Sequence, residues 1–185
     1  MDDCGFWEKV WLTILDKGLL ALIVLVAGFY LNKVLEAFKG KLTREQEFTR
    51  TANAAVVELT KKLAAGSHLI SWLSWSATEP DASLAEKDFA EYDKGMINVL
   101  SDLVGLQASV AALDPSRFAV LSDFAEQLYL RDISVGKARE LYRSNDAEKI
   151  GQANSLLKSL YDESLEFDKA LLSAVTGLLA GAVDK

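Results

Sequence analysis

The single histidine, His68, lies in HLISWLSW, four and seven residues ahead of Trp72 and Trp75. On a helix that spacing sets one imidazole and two indoles along one side. Such a surface could stack a flat ligand or meet another protein. The commoner use of the trio is to cap the end of a helical core or to fill a subunit contact, which is the expectation here. A second cluster, YDESLEFDK, gathers Asp162, Glu163, Glu166 and Asp168. They fall on more than one helix face and have no loop glycine, so a calcium loop is not expected and a solvated acidic surface is. A third stretch, ALLSAVTGLLAGAV, places Gly177 and Gly181 four apart. In a full membrane span that pattern lets two helices approach closely. Here the apolar run is too short to cross, so burial in the protein is expected, with insertion or an oligomer contact as the alternative.

No other set of residues carries recognisable chemistry. A helical nuclease would need an arginine a few positions before a histidine, and His68 has none closer upstream than Arg50. Neither a phosphate-binding glycine loop nor an H-E-x-x-H pair is present. One cysteine, Cys4, leaves no internal disulfide and no thiolate zinc cluster. The expectation is a protein that is not an enzyme and holds no metal and no cofactor.

Charge is distributed unevenly. The whole chain carries −7, which argues against a nucleic-acid partner. Residues 33–62 nevertheless hold seven lysines and arginines against four glutamates, while the acids dominate after residue 63. A basic collar therefore follows the N-terminal stretch, and an acidic body follows the collar.

That stretch, VWLTILDKGLLALIVLVAGFYLNKVLEAFKGK, has no charged residue from Gly18 to Leu31. As a helix these residues cover about 21 Å, and extension back to Val10 gives about 33 Å, enough to cross a bilayer. Trp7 and Trp11 stand where an aromatic belt would hold one interface; Tyr30 and Lys33 mark the other. A cleaved signal is not expected, because the chain starts Met1-Asp2-Asp3 and Phe29 stands where a lipoprotein motif requires cysteine. Asp16-Lys17 falls about two turns inside the near boundary. An intramembrane acid invites a functional role, but this depth suits an interfacial pair, with Lys17 snorkelling toward headgroups. The excess of lysine and arginine after the span puts the N-terminus outside and the body in the cytoplasm.

The body reads as helix throughout. Phe89, Tyr92, Met96, Val99, Leu103, Leu106, Val110 and Leu113 alternate at spacings of three and four, with Leu100 and Val104 widening the stripe. Ile150 to Leu178 repeat the pattern, and Phe48, Ala52, Val56, Leu59, Leu63, Ile70 and Leu73 follow it. Sustained 3.5-residue repeats mean helices packed nearly antiparallel. Helix starts are expected at Thr43 (with Gln46), Ser83 (with Glu86), Asp114-Pro115 and Asn145 (with Glu148). The predicted helices are 44–77, 84–113, 115–130 and 146–183, with a short piece near 134–143. The fold class is all-α: a transmembrane anchor over 1–42, then an up-and-down cytoplasmic bundle of about four helices over 43–185.

FWEKVWLTILDKGLLALIVLVAGFYLNKVLEAFKGK resembles the N-terminal anchor of small, uncharacterised bacterial single-pass membrane proteins. The residues that carry the resemblance are Asp16, Lys17, Tyr30, Asn32, Leu35, Glu36, Phe38 and Lys39. It implies the bacterial inner membrane and says nothing of the bundle. The expected function is a non-enzymatic, membrane-anchored bundle that touches lipid, forms a homo-oligomer and docks an unknown cytoplasmic protein. Its contacts would be the seams, the His68/Trp72/Trp75 face and Gly177/Gly181. The alternative is an oligomeric pore-forming effector of a bacterial defence or toxin system, with Asp16 and Lys17 facing a lumen and the bundle as its gate.

Overall fold

A computed structural model describes the backbone of residues 4–77 and 84–180, and side chains within those ranges from residue 28 onward. The described chain is all-α, with α1 over Cys4–Ser76, α2 over Glu86–Leu113, α3 over Pro115–Arg143 and α4 over Ala147–Ala180. It divides into two units, Met1–Thr49 and Arg50–Lys185.

The second unit is a four-helix up-and-down bundle built from the end of α1 and all of α2 to α4. Leu69 of α1 meets Gly95 of α2, and Lys62 reaches Asp102 at 2.6 Å, so these two helices run antiparallel. Tyr92–Asp132 and Phe89–Tyr142 set α2 against α3 the same way. Phe124–Phe167 and Tyr142–Asn154 do so for α3 and α4. The contacts Asn53–Arg117 and Gly66–Leu128 make α1 and α3 parallel. Most of the core lies at heptad positions read from the sequence. Val56, Leu59, Leu63, Ile70 and Leu73 of α1 meet Phe89, Tyr92, Met96, Val99 and Leu103 of α2 in one continuous cluster. Leu121, Ala125 and Leu128 of α3 and Leu157, Leu160, Phe167 and Leu171 of α4 complete it.

The connections follow from the cap chemistry. Asp114 is the one residue between α2 and α3, ending the first through its N–H to Val110 and starting the second through Oδ1, which accepts from the Arg117 N–H at 3.1 Å. Pro115 at the first helical position loses no hydrogen bond there. A one-residue link leaves the chain no course but reversal.

Several expected boundaries differ. Thr43 does not cap a new helix; α1 continues through Gly40, and the Thr43 hydroxyl donates to the Lys39 carbonyl one turn back. α3 is unbroken to Arg143, with no separate piece at 134–143. α2 starts at Glu86 with Ala85 as its cap residue, whose N–H donates to Asp88 Oδ2 at 2.8 Å; Ser83 lies outside the described residues. Asn145 is not the cap of α4 but takes a positive φ of 51°, which asparagine tolerates. Asp146 does the capping, its Oδ1 accepting from the Glu148 N–H. Two seam assignments shift: Phe48 is exposed, and near the end of α4 Val175 is buried while Ala174, the position three after Leu171 on which the Ile150–Leu178 alternation falls, is only partly so. Val104 is exposed and does not widen the α2 core face.

Of the described residues, α2 is the helix long and apolar enough to cross a membrane by length and composition. Its apolar seam already fills the bundle core, and Asp93 and Asp102 pair with Arg139 and Lys62. The side chains of Trp7, Trp11, Asp16 and Lys17 in the expected anchor lie outside the described residues. Tyr30 and Lys33 are exposed.

Candidate functional site

Within the first unit, α1 carries a run of large apolar side chains open to solvent: Phe29, Tyr30, Leu31, Val34, Leu35, Phe38 and Leu42. Between them stand Lys33, Lys39 and Lys41, followed by Arg44, all exposed. Lys41 lies 3.9 Å from Glu45 one turn on. Burying such side chains stabilises by about 1.5–3 kcal/mol each, and a run this long on a monomer marks a surface meant for contact. It is the leading candidate for an interaction site.

On the second unit the His68/Trp72/Trp75 trio sits on the outer face of α1, between the core positions Ser67, Ile70 and Ser74. His68, Trp72 and Trp75 are all exposed, Trp72 the less of the two tryptophans at 36%. What they offer is a broad aromatic surface with polar edges, suited to a protein contact.

Gly177 is open, with nothing within 4 Å of an added Cβ, and Gly181 lies outside the described residues. The C-terminal apolar stretch is buried through Leu171 and Val175 but leaves Leu172 exposed. Asp162, Glu163, Glu166 and Asp168 are on the surface as expected. The first three line a shallow groove of about 480 Å³ with Arg131, Leu165 and Lys169.

Arg131 is the least ordinary residue of that groove. Its guanidinium lies 4.6 Å over the Phe167 ring, 3.9 Å from Glu163, and its Nη1 is buried without a hydrogen-bond partner. Burial pulls its pKa down, and the charges of Glu163 and Asp168 oppose that pull. The stacked, half-buried cation anchors α4 to α3.

A denser network joins α2 to α3. Arg139 is held between Glu86 and Asp93, with Nη1 at 2.5 Å from the Asp93 carboxylate, and Arg143 Nη2 donates to Glu86 at 2.7 Å. The two guanidinium groups, Arg139 first, lower the Glu86 pKa to about 2. Beneath them Phe89 packs on Tyr142 at 5.7 Å and Arg139 sits over the Phe89 ring. Deeper still, the Tyr92 hydroxyl donates to Asp132 Oδ1 at 2.7 Å. Burial, then the Asp132 charge, pushes the Tyr92 pKa far up. Every polar member is matched by an opposite charge or a hydrogen bond, which fixes the register of α2 on α3. Among the described residues, no three His, Cys, Asp or Glu side chains gather as a metal site.

No family model, curated protein or solved structure matches this chain. Its site must be read from its own residues.

Sequence reasoning did not find the α2–α3 network or the apolar run beyond Leu31. A signal existed for both. Asp132 falls four residues after Leu128 and three before Val135, on the α3 core stripe, where an acid needs a partner. Leu35, Phe38 and Leu42 lie at spacings of three and four, which is a seam and not a collar.

Proposed function

We propose that this chain is a single-pass, membrane-anchored helical bundle, without enzymatic activity, that self-associates and docks cytoplasmic protein partners. The supporting observation is α1 itself. One helix, Cys4–Ser76, joins the uncharged run 18–31 to a bundle whose apolar seam is buried, and between them it leaves Leu31, Leu35, Phe38 and Leu42 exposed. A helix that is apolar before residue 31 and amphipathic after it suits a span followed by a contact surface. The basic collar supports an orientation with the bundle in the cytoplasm. The resemblance of residues 6–41 to bacterial single-pass anchors supports the inner membrane as its place. The exposed Trp72 and Trp75 are the docking face for a protein partner.

The test is partition of the full chain between membrane and soluble fractions, followed by a mass measurement in mild detergent. The protein should stay with the membrane through an alkaline carbonate wash and should elute as more than one chain. A carbonate-extractable protein, or one that is a monomer in detergent, would overturn this reading.

A further inference from the structure

The buried apolar residues of α1 in the bundle, with Gly66, fall on one 4-3 alternation: Ala52, Val56, Leu59, Leu63, Gly66, Ile70 and Leu73, with the buried Ser67 and Ser74 beside it. Continued backwards without a skip, the same alternation reaches Thr49, Glu45, Leu42, Phe38, Leu35 and Leu31. Four of these are large, apolar and open, with 45% of Leu42, 63% of Phe38, 52% of Leu35 and 62% of Leu31 exposed. The same 3.5-residue alternation that α1 uses in its bundle thus runs upstream for almost two heptads, with nothing covering it among the described residues. We infer that its occupant is the identical segment of a second copy of this chain, paired parallel and in register just inside the membrane. This rests on the anchored reading above and names the partner of its exposed arm.

Three observations favour a second copy over lipid or a different protein. First, α1 has no break after Leu31. A helix that crosses the bilayer and continues straight carries Leu35 and Leu42 about 6 and 17 Å further along its axis, away from the hydrocarbon. Second, anchoring in one membrane puts identical seams at identical heights, so copies meet in register without further alignment. Third, the flanking positions permit a parallel pair. With Leu35 and Leu42 at a and Leu31 and Phe38 at d, the g positions are Val34 and Lys41, and the e positions are Lys39 and Gln46. Across a parallel pair Val34 then faces Lys39 and Lys41 faces Gln46, so no like charges oppose each other at these flanking positions; the first like-charge layer is Glu45 against Glu45, below the four apolar positions. Glu45, at the next d position and 3.9 Å from its own Lys41, ends the apolar seam.

The area sets the strength. Leu31, Val34, Leu35, Phe38 and Leu42 together expose on the order of 500 Å² per chain, taking roughly 200 Å² for a fully open large residue. Standard stable interfaces bury roughly 800 Å² per partner. Such a pair is weak in free solution and forms when co-anchoring in one bilayer or one mild-detergent micelle raises the effective concentration toward the millimolar range.

The test uses full-length protein in its membrane, with Cys4→Ser as background. Single cysteines replace Leu35, Phe38 or Leu42 on the seam, and Lys33, Gly40 or Glu47 at the f position opposite. Oxidation should give covalent dimers several-fold more abundant at the three seam positions than at the three outer ones. Adding Leu35→Glu and Leu42→Glu to the Phe38→Cys chain should abolish its dimer; both leucines are solvent-exposed, so the bundle should keep its helical circular dichroism. Equal cross-linking on both faces, or none with the protein still in the membrane fraction, would overturn the inference and leave the anchored reading standing. Loss of the protein from the membrane fraction would overturn both.

Discussion

Gly66 sits on α1 directly against Leu128 of α3. A Cβ built there would lie 2.6 Å from Leu128 Cδ2 and 3.1 Å from Cδ1. Ordinary carbon contacts are about 3.5–4.0 Å, so Gly66→Ala needs a displacement of about 1 Å. Leu128 is fully buried, so any shift of its methyl groups presses on other core side chains. Either it leaves its rotamer or the helices separate, and overpacking of this kind costs about 1–3 kcal/mol. Alanine regains about 1 kcal/mol of helix propensity, so the net expected loss is about 1 kcal/mol. That corresponds to about 3 °C in Tm for a chain of this size. Two glycines supply controls on the same scale. Gly105→Ala meets nothing within 4 Å and should stabilise by about 0.5–1 kcal/mol. Gly95→Ala meets Leu69 at 3.0 Å, but Leu69 is only partly buried and can swing away, so the change should be near neutral. In a Leu128→Ala background, Gly66→Ala should turn stabilising, because the methyl group then enters space the leucine has left. Denaturant unfolding of the full chain followed by circular dichroism reads all of these. If Gly66→Ala raised stability as much as Gly105→Ala, the close α1–α3 approach would be refuted.

Three further outcomes follow from the caps and the α2–α3 network. Glu86 has a folded pKa depressed from 4.5 to about 2 by Arg139 and Arg143, so its contribution is complete above pH 4.5 and lost as pH falls toward 2; Glu86→Gln should remove that part of the acid sensitivity in unfolding measured from pH 6 to 2. Tyr92→Phe takes the donor from the part-buried Asp132 carboxylate and should cost about 1–3 kcal/mol, whereas Tyr92→Phe with Asp132→Leu should recover most of the loss, as measured by the same denaturation. Asp114→Ala removes the acceptor for the Arg117 N–H at the start of α3 and the carboxylate 3.0 Å from the buried Arg117 guanidinium and should lower stability by about 1 kcal/mol or more in thermal melts, with Asp114→Asn, which keeps the cap but not the charge, between it and wild type.

Much of the bundle is legible in the sequence because its helices obey one repeat. Phe89 to Val110 and Ala153 to Leu171 stand at the heptad positions that the structure buries, apart from a partly buried Leu106. Asp114-Pro115 marks its helix start because cap and ring chemistry are both local. What misleads are polar residues whose partners are distant in sequence. Arg131-Asp132 reads as a break in α3, yet one stacks on Phe167 and the other accepts from Tyr92, so the helix continues. Thr43 reads as a cap, but a threonine in mid-helix satisfies its hydroxyl on the preceding turn just as well. Asn145 and Asp146 are both good cap residues, and only the backbone decides that the first takes the left-handed turn. The candidate contact surface is obscured by Phe48, an apolar residue one position before the polar seam residue Thr49. Counted from Phe48, the register does not extend through Leu42, Phe38, Leu35 and Leu31; counted from Thr49, it does.

The most direct test of a single crossing by α1 uses the one natural cysteine. In intact cells a membrane-impermeant maleimide should label Cys4, and in a Cys4→Ser chain it should reach Gly105→Cys, on the exposed surface of α2, only after the cells are permeabilised. Labelling of Gly105→Cys from outside, or of Cys4 only after permeabilisation, would contradict an anchored bundle with its N-terminus outside.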